Sequence, residues 1–288
     1  MSISVVGVVG AGFMGSGIAE CAAVVGKHVV VYEPDERPLQ RSRESLEASV
    51  AKAVSRGKLA SADAEQVADR VLYTTRLGDL GGADAVIEAV TEDARVKREL
   101  FARLDEELPD AQFLASNTSS IPIAELAART SRRDRVLGLH FFSPVPVMKL
   151  VEVVTAIDTS EATVSTAEAF ARDLGKHPIL TRDRSGFIVN MLLVPCLMAA
   201  VRMYEEGFAT REDIDEGMRL GCGHPMGPLQ LLDYIGLDTT LFVCEALHAE
   251  YANADYAPPP LLRRMVAAGW LGQKSGRGFY DYAQNGRR

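Results

Sequence analysis

Short apolar runs alternate with amphipathic stretches through the larger, N-terminal part of the chain. The apolar runs predict strands at residues 4–9, 28–32, 71–74, 85–89, 112–115, 135–139, 150–155 and 178–180. The amphipathic stretches predict helices at residues 13–26, 35–57, 92–108 and 161–174, with a weaker helix signal up to residue 68. Because helices follow most of the strands, the pattern predicts an α/β fold with a doubly wound, mostly parallel sheet.

The pattern changes after Arg184, where the apolar positions recur only with helical spacing. Helices are predicted at residues 187–206, 211–220, 237–251 and 260–268. Thr210 precedes the second of these helices as an expected N-cap, with Asp213 three residues on. The sequence therefore predicts two domains, a doubly wound domain at residues 1–184 and an all-helical domain at residues 185–288.

A glycine-rich turn joins the first predicted strand to the first predicted helix. It has the form G-x-G-x-x-G, with Gly10, Gly12 and Gly15 at the fixed positions and Phe13 and Met14 between them. A strand before the turn, a helix after it and an acid at the end of the next strand are typical of a Rossmann-type dinucleotide site. We expect these five residues to line the pyrophosphate. The alternative is a glycine-rich turn that binds nothing.

Glu33 follows the second predicted strand, where a carboxylate accepts hydrogen bonds from the ribose hydroxyls of adenosine. A carboxylate there also repels a 2′-phosphate. NAD is therefore the expected cofactor rather than NADP, although Arg37 is near enough in sequence to leave NADP open. Residues 1–184 are accordingly predicted to be an NAD-binding, Rossmann-type domain.

The composition of the chain limits the kinds of molecule that it is expected to bind. A net charge of -8 argues against nucleic acid, because binding to phosphate backbones needs a basic surface. The four cysteines form no C-x-x-C pair, so neither zinc nor a disulfide framework is expected. The longest apolar stretch, residues 186–201, is shorter than the ~20 residues of a membrane helix. With no targeting segment recognised, we expect a cytoplasmic protein without a membrane partner.

Two residues of neighbouring predicted strands form a candidate acid–base pair. His140 ends an apolar strand, on the edge of an α/β sheet where ligands bind, and histidine is a suitable base near neutral pH. Glu152 lies within the apolar run of residues 150–155, and a buried carboxylate needs a partner. His140 is the expected partner. The alternatives are a core histidine bonded to backbone and an edge-strand glutamate facing water.

Polar groups at two further places are candidates for contact with substrate or cofactor. Asn190 lies in an apolar segment at the start of the second domain, from which its amide could face the cleft and donate to a carbonyl oxygen. Residues 116–120, which include Asn117 and Ser119, follow another strand at the ligand edge of the sheet. Asn190 could equally be a surface position, and residues 116–120 an N-cap cluster for the next helix.

Several motifs, in order along nearly the whole chain, resemble the 3-hydroxyacyl-CoA dehydrogenase family. They are A-S-N-T-S-S-I at residues 115–121, H-F-F-S-P-V-P at 140–146, L-V-E-V at 150–153, D-R-S-G-F-I-V-N at 183–190, H-P-M-G-P at 224–228 and K-S-G-R-G-F-Y-D-Y at 274–282. The overall similarity is greatest to the short-chain, 3-hydroxybutyryl-CoA branch. Met191 departs from the arginine that often follows the family's asparagine, and this leaves the polar contacts of that helix open.

The resemblance implies a reaction and a role for each candidate residue. The activity would be NAD-dependent interconversion of 3-hydroxyacyl-CoA and 3-ketoacyl-CoA, with a homodimer formed through the C-terminal domain. His140 would be the base and Glu152 its acidic partner, while Ser119 and Asn190 would contact the reacting oxygen and the thioester region. Glu92, Lys97 and Asn117 would lie on the cofactor side.

A basic helix face is the candidate site for the phosphates of CoA. Ser49, Lys52 and Arg56 recur at helical spacing and Lys58 follows them, although an ordinary solvated face has the same pattern. Two other functions remain open from the sequence. One is a related two-domain dehydrogenase of a free hydroxy acid or sugar acid, and the other is a non-catalytic NAD-binding protein.

Overall fold

The structure is a computed structural model that describes residues 2–57 and 59–282. By backbone contacts the chain divides into two compact units, Met1–Arg184 and Ser185–Arg288. Lys58, one of the candidate CoA residues, lies outside the described residues.

The first unit is built on an eight-stranded sheet. Its strands are β1 (Val5–Val9), β2 (His28–Tyr32), β3 (Val71–Thr74), β4 (Ala85–Glu88), β5 (Phe113–Ser116), β6 (Val136–Phe141), β7 (Leu150–Thr155) and β8 (His177–Arg182). The strand order is β3-β2-β1-β4-β5-β6-β7-β8, and β6–β7 is the antiparallel pair in an otherwise parallel sheet. The predicted doubly wound, mostly parallel fold is confirmed, and β1 and β4 are the neighbours at which the strand order reverses.

The helices of the first unit cover the apolar faces of the sheet. They are α1 (Phe13–Val24), α2 (Glu36–Ser55), α3 (Ser61–Asp69), α4 (Ala94–Glu107), α5 (Ile123–Ala127) and α6 (Glu161–Asp173). The core between sheet and helices is aliphatic, with Val6, Val8 and Ile18 fully buried. The short helix α5 was not predicted, because five residues are too few for an apolar period to stand out.

Helix α4 begins two residues later than the sequence pattern predicted. Asp93 is its N-cap and accepts hydrogen bonds from the backbone N–H groups of Arg95 and Val96. Side-chain capping of this kind fixes the first turn of a helix. Glu92 therefore lies in the loop between β4 and α4 rather than in the helix.

The hairpin-like pair β6–β7 determines which side chains meet at one edge of the sheet. The two strands run antiparallel with His140 directly opposite Glu152. Side chains directly opposite each other in such a pair lie on the same face of the sheet. The connecting segment, residues 142–149, contains a cis peptide bond between Ser143 and Pro144.

The longer secondary-structure elements of the second unit are all helices. Its helices are α7 (Val189–Glu205), α8 (Arg211–Gly221), α9 (Pro228–Ile235), α10 (Leu237–Tyr251) and α11 (Pro260–Ala267). The predicted N-cap of α8 is confirmed, since the Thr210 side chain accepts a hydrogen bond from the N–H of Asp213. Over the residues that the structure describes, no helix is both long and apolar enough to cross a membrane.

Candidate active site

The glycine-rich turn between β1 and α1 has the shape that a dinucleotide needs. Gly10 has a φ of 105°, and a Cβ there would lie 2.6 Å from the carbonyl oxygen of Ala89, so a side chain is excluded. A Cβ at Gly15 would lie 1.9 Å from the Gly10 carbonyl oxygen. By contrast, a Cβ at Gly12 meets nothing within 4 Å, which is the open approach a pyrophosphate requires.

The start of α1 adds hydrogen-bond donors to that open space. Gly12 is the N-cap and has no side chain to form a capping bond. The first N–H groups of the helix can therefore donate hydrogen bonds to an anion. Phe13 is 71% exposed beside them, whereas Met14 packs partly against the core. The residues present therefore fit a dinucleotide, and they are the five that the sequence singled out.

Glu33 follows β2 directly and lies against the same turn. Its Oε2 accepts a hydrogen bond from the backbone N–H of Ala11 at 3.2 Å. This contact holds the carboxylate beside the glycine turn, on the side of the sheet where the ribose of adenosine is bound in this kind of fold. The neighbouring groove of about 660 Å³ between α2 and the end of β3 includes Arg37, Arg43 and Arg76.

Two buried charges and one half-buried charge lie at the carboxyl end of β4. Lys97 of α4 is 1% exposed, and its Nζ is 2.5 Å from Oε1 of Glu88 and 3.2 Å from Oε2 of Glu92. Glu88, which is fully buried, also accepts hydrogen bonds from Ser116 Oγ at 2.6 Å and from the N–H of Val90 at 2.7 Å. Glu88 is a residue that the sequence analysis missed, although it carries the same signal as Glu152, an acid within an apolar strand.

Glu92 organises the segment after β5. Its Oε1 accepts hydrogen bonds from the hydroxyl of Thr118 and from the backbone N–H groups of Ser119 and Ser120, at 2.9 and 3.3 Å. Burial would raise the pKa of Glu92, but the Lys97 ammonium and the bonds from Thr118 and Ser119 outweigh it and lower the pKa. Glu92 therefore stays ionised well below neutral pH.

Asn117 and Ser119 lie on this segment, as the sequence predicted. Asn117 Oδ1 accepts a hydrogen bond from the N–H of Phe141 at 2.9 Å, and this bond ties the end of β5 to the end of β6. Ser119 is half-buried, and its Oγ is 3.5 Å from Glu92 Oε1. Asn117 thus borders the strand end that carries His140, whereas the contact of Ser119 is with Glu92.

His140 and Glu152 are in direct contact. Nδ1 of His140 lies 2.6 Å from Oε2 of Glu152, which is fully buried, while His140 is 7% exposed. With the proton of the pair on Nδ1, the carboxylate fixes the tautomer and the orientation of the ring, so Nε2 is the nitrogen that does not face Glu152. The ring of Phe142 lies against the imidazole, with centroids 4.6 Å apart.

A buried lysine fixes the segment that joins the two strands of this pair. Lys176 Nζ donates hydrogen bonds to the carbonyl oxygens of Val145 at 2.5 Å and of Met148 at 2.9 Å. A Cβ at Gly17 of α1 would lie 2.9 Å from Cβ of Val145, so the segment also packs closely on the helix that begins at the glycine turn. Lys176 was missed because its role depends on contacts with a segment distant in sequence.

The candidate CoA residues of α2 divide into two kinds. Lys52 and Arg56 are exposed, with Arg56 just beyond the last residue of the helix. Ser49 is half-buried, and its Oγ donates to Oε1 of the buried Glu20 at 2.7 Å. Burial raises the pKa of Glu20, and the bond from Ser49 and the charge of Lys176 oppose the rise.

Asn190, the remaining candidate, lies in the second unit. It is the second residue of α7 and is half-buried. Its predicted contact with the thioester stays a prediction. No group of three or more His, Cys, Asp and Glu side chains is arranged to hold a metal ion anywhere in residues 2–57 and 59–282.

A doubly wound sheet with an open glycine turn at its first strand and a histidine–carboxylate pair at a strand end defines a dinucleotide-dependent dehydrogenase. Residues 5–184 match the model of the 3-hydroxyacyl-CoA dehydrogenase NAD binding domain. Residues 186–282 match the model of the C-terminal domain of the same enzymes. The chain therefore belongs to the 3-hydroxyacyl-CoA dehydrogenase family, and the resemblance noted in the sequence is confirmed.

Individual relatives are similar along their full length. The chain is 52% identical over 284 residues to a 3-hydroxybutyryl-CoA dehydrogenase of Mycobacterium tuberculosis, covering 98% of this chain and 99% of that protein. The crystal structure of M. tuberculosis FadB2 superimposes with a TM-score of 0.95 at 52% identity, covering 98% of this chain and all of that one. The (S)-3-hydroxybutyryl-CoA dehydrogenase PaaH1 of Ralstonia eutropha gives a TM-score of 0.92 at 46% identity, with coverages of 98% and 99%.

Proposed function

We propose that the protein is an NAD-dependent 3-hydroxyacyl-CoA dehydrogenase that interconverts (S)-3-hydroxybutyryl-CoA and acetoacetyl-CoA. The observation that carries the proposal is the contact between His140 and Glu152, because an oriented imidazole is the group that this oxidation needs. The choice of a C4 substrate is supported by the names of relatives that are 52% and 46% identical to this chain.

In the proposed reaction His140 exchanges the proton of the 3-hydroxyl group. NAD, when bound, supplies the hydride acceptor or donor for C3. In the oxidation direction, Nε2 of His140 removes the hydroxyl proton, and Glu152 stabilises the imidazolium that forms. In the reduction direction, the protonated imidazole donates to the ketone oxygen. Ser119 and Asn190 hold the reacting oxygen and the thioester in position.

The cofactor residues have matching roles in the proposal. Gly10, Gly12, Phe13, Met14 and Gly15 line the pyrophosphate and Glu33 binds the adenosine ribose. Glu92 and Lys97 lie on the nicotinamide side together with Asn117. These assignments are supported by the open turn at Gly12 and by the position of Glu88, Glu92 and Lys97 at the end of β4.

The CoA moiety is proposed to bind along α2. The exposed cations Lys52 and Arg56 suit its phosphates, since an otherwise acidic protein needs a local basic patch for an anionic ligand. Ser49 keeps its oxygen as an acceptor while its proton is shared with Glu20. The protein is also proposed to act as a homodimer through its C-terminal domain.

The test is a comparison of substrates with one purified protein. NADH oxidation should be fast with acetoacetyl-CoA, slower with longer 3-ketoacyl-CoA compounds and absent with free acetoacetate. His140→Gln serves as the control, because it should abolish turnover without affecting NADH binding. Activity on free 3-keto acids with none on CoA thioesters would assign the protein to the free-acid dehydrogenases instead.

A further inference from the structure

The cluster of Glu88, Glu92 and Lys97 holds one more negative charge than positive charge. Two carboxylates share a single ammonium, and no other charged side chain is bonded to the three within residues 2–57 and 59–282. The other partners of the carboxylates are neutral donors, namely hydroxyl and backbone N–H groups. A buried charge of this kind acts over several ångströms, because neither water nor salt screens it well.

The position of this cluster in the strand order indicates which half of the dinucleotide would lie near it. In a doubly wound sheet the two halves of the strand order bind the two mononucleotides. Glu33, after β2, marks the adenosine half. The cluster lies at the end of β4, beside β5, and the Asn117–Phe141 bond joins that region to the strand of His140. The nicotinamide must lie on this side, because the base and the hydride acceptor act on the same carbon and its hydroxyl.

We propose that the excess negative charge of the Glu88 cluster makes this site bind NAD⁺ more tightly, relative to NADH, than a neutral site would. The nicotinamide ring carries a positive charge when oxidised and none when reduced. A fixed negative charge nearby therefore stabilises only the oxidised ring. The proposal rests on the proposed function only in taking NAD as the cofactor. In this proposal Glu88 is too deeply buried to touch the ring, and its charge sets the ratio of the affinities for NAD⁺ and NADH.

The test measures dissociation constants for NAD⁺ and NADH separately, by calorimetry and without any acyl-CoA. Glu88→Gln keeps the size of the side chain and can still bond to Ser116 and Val90, but it makes the cluster neutral. We expect the Kd for NAD⁺ to rise about threefold to tenfold relative to the Kd for NADH, the effect of one charge at several ångströms.

The matched control is Ser116→Ala, which removes a hydrogen bond from the same carboxylate without changing any charge. Its ratio of the two dissociation constants should stay within about twofold of wild type, because loss of an uncharged donor leaves the net charge of the cluster unchanged. A purely structural role for Glu88 would weaken both cofactor forms alike and leave the ratio unchanged.

Glu92→Gln provides a second measurement at the other carboxylate, and it decides the question alone if Glu88→Gln does not fold. It should raise the same ratio, since it removes the same charge. An unchanged ratio in every variant that folds would overturn the proposal. Because the measurement uses no substrate, that result would leave the dehydrogenase assignment intact, whereas failure of the wild type to bind either cofactor form would remove the assignment itself.

Discussion

Two carboxylates lie inside apolar strands of the first unit, and each has one basic partner. Glu152 contacts His140 at 2.6 Å, and Glu88 contacts Lys97 at 2.5 Å. A buried ion pair adds little net stability because of the cost of desolvation, so such pairs are better explained by what they hold in position. One pair orients the imidazole near the end of β6, and the other holds the lysine of α4 between two carboxylates.

Glu152→Gln tests the first of these pairs. The substitution keeps size and hydrogen bonding but removes the carboxylate charge that stabilises the imidazolium formed when His140 takes the hydroxyl proton. We expect kcat to drop by roughly 10- to 10⁴-fold, the range for losing support of a general base. A kcat within about twofold of wild type would mean that this charge does not support the base.

The double variant of His140→Gln and Glu152→Gln separates a dyad from two independent residues. When two residues act together, replacing the second costs little further activity once the first is gone. The double variant should therefore be little worse than His140→Gln alone. NADH binding should survive in all three proteins. If the two losses multiply, Glu152 acts on something other than His140.

Glu33 is predicted to determine the choice between NADH and NADPH. Its carboxylate is held beside the glycine turn by the Ala11 N–H, where a 2′-phosphate would meet a like charge. We expect kcat/KM to favour NADH by at least about tenfold, or 1.4 kcal/mol. Glu33→Gln should reduce this preference mainly by improving NADPH. Equal use of the two cofactors by the wild type would mean that the three arginines of the neighbouring groove outweigh Glu33.

At the scale of elements, Glu92 links the loop from β4 to α4 to the segment after β5. Because the pKa of Glu92 is lowered, this link is sensitive to acid. A carboxyl group with a lowered pKa in the folded protein stabilises the fold fully above its ordinary value of 4.5, and this contribution is lost as the pH falls through the folded value. We therefore expect Glu92→Gln to flatten the decline of Tm below about pH 5.

Glu106→Gln is the control for that measurement, because Glu106 is an exposed carboxylate of α4 without a resolved contact of its own. Its profile of Tm against pH should follow wild type. A Glu92→Gln profile that declines as steeply as wild type would show that other carboxylates account for the acid sensitivity.

The exposed end of α2 can be tested without disturbing the fold. Lys52→Ala with Arg56→Ala should raise KM for the acyl-CoA and leave kcat nearly unchanged, because uniform binding of a remote group affects KM alone. Arg41 is an exposed cation nearer the start of the same helix, so Arg41→Ala is the control for a general loss of charge. An unchanged KM in the double variant would mean that this helix face contacts water and does not bind CoA.

The sequence predicted the main elements within a residue or two, and the reasons for its failures are physical. Strands and helices with a clear apolar period, such as β2 and α10, match to the residue. The five-residue helix α5 was missed because it is too short for an apolar period to stand out, and the eight-residue helix α9 was missed as well. Pairing direction was also missed, since an antiparallel pair within a parallel sheet depends on the register of β6 and β7 rather than on either strand alone.

At the candidate site, sequence reasoning could name candidates where one residue carried the signal. The glycines, Glu33 and the acid at position 152 could each be proposed from local context. Thr118 and Lys176 could not, because their contacts are with partners from other parts of the chain. The same apolar surroundings that marked Glu152 would have marked Glu88.

At the scale of the whole molecule, the second unit exposes large apolar side chains on its helices. Leu192, Phe208 and Leu220 are 74%, 75% and 70% exposed. Leu192 lies on α7, Leu220 on α8, and Phe208 in the turn between the two helices. Contiguous exposed apolar side chains commonly mark an interface, and these three are predicted to belong to one. A second copy of the chain is the proposed occupant, since the homodimer is expected to form through this domain.

Light scattering should accordingly give twice the 31.2 kDa mass of one chain. A variant with aspartate at positions 192, 208 and 220 should shift toward the monomer mass, because a buried unpaired charge opposes association strongly. Ile157, in the first unit, is 92% exposed, so Ile157→Asp adds a negative charge at an exposed apolar position outside the domain predicted to form the interface and should leave the dimer intact. A wild-type mass of one chain would contradict the prediction. A triple variant that stays dimeric would place the contact on other residues.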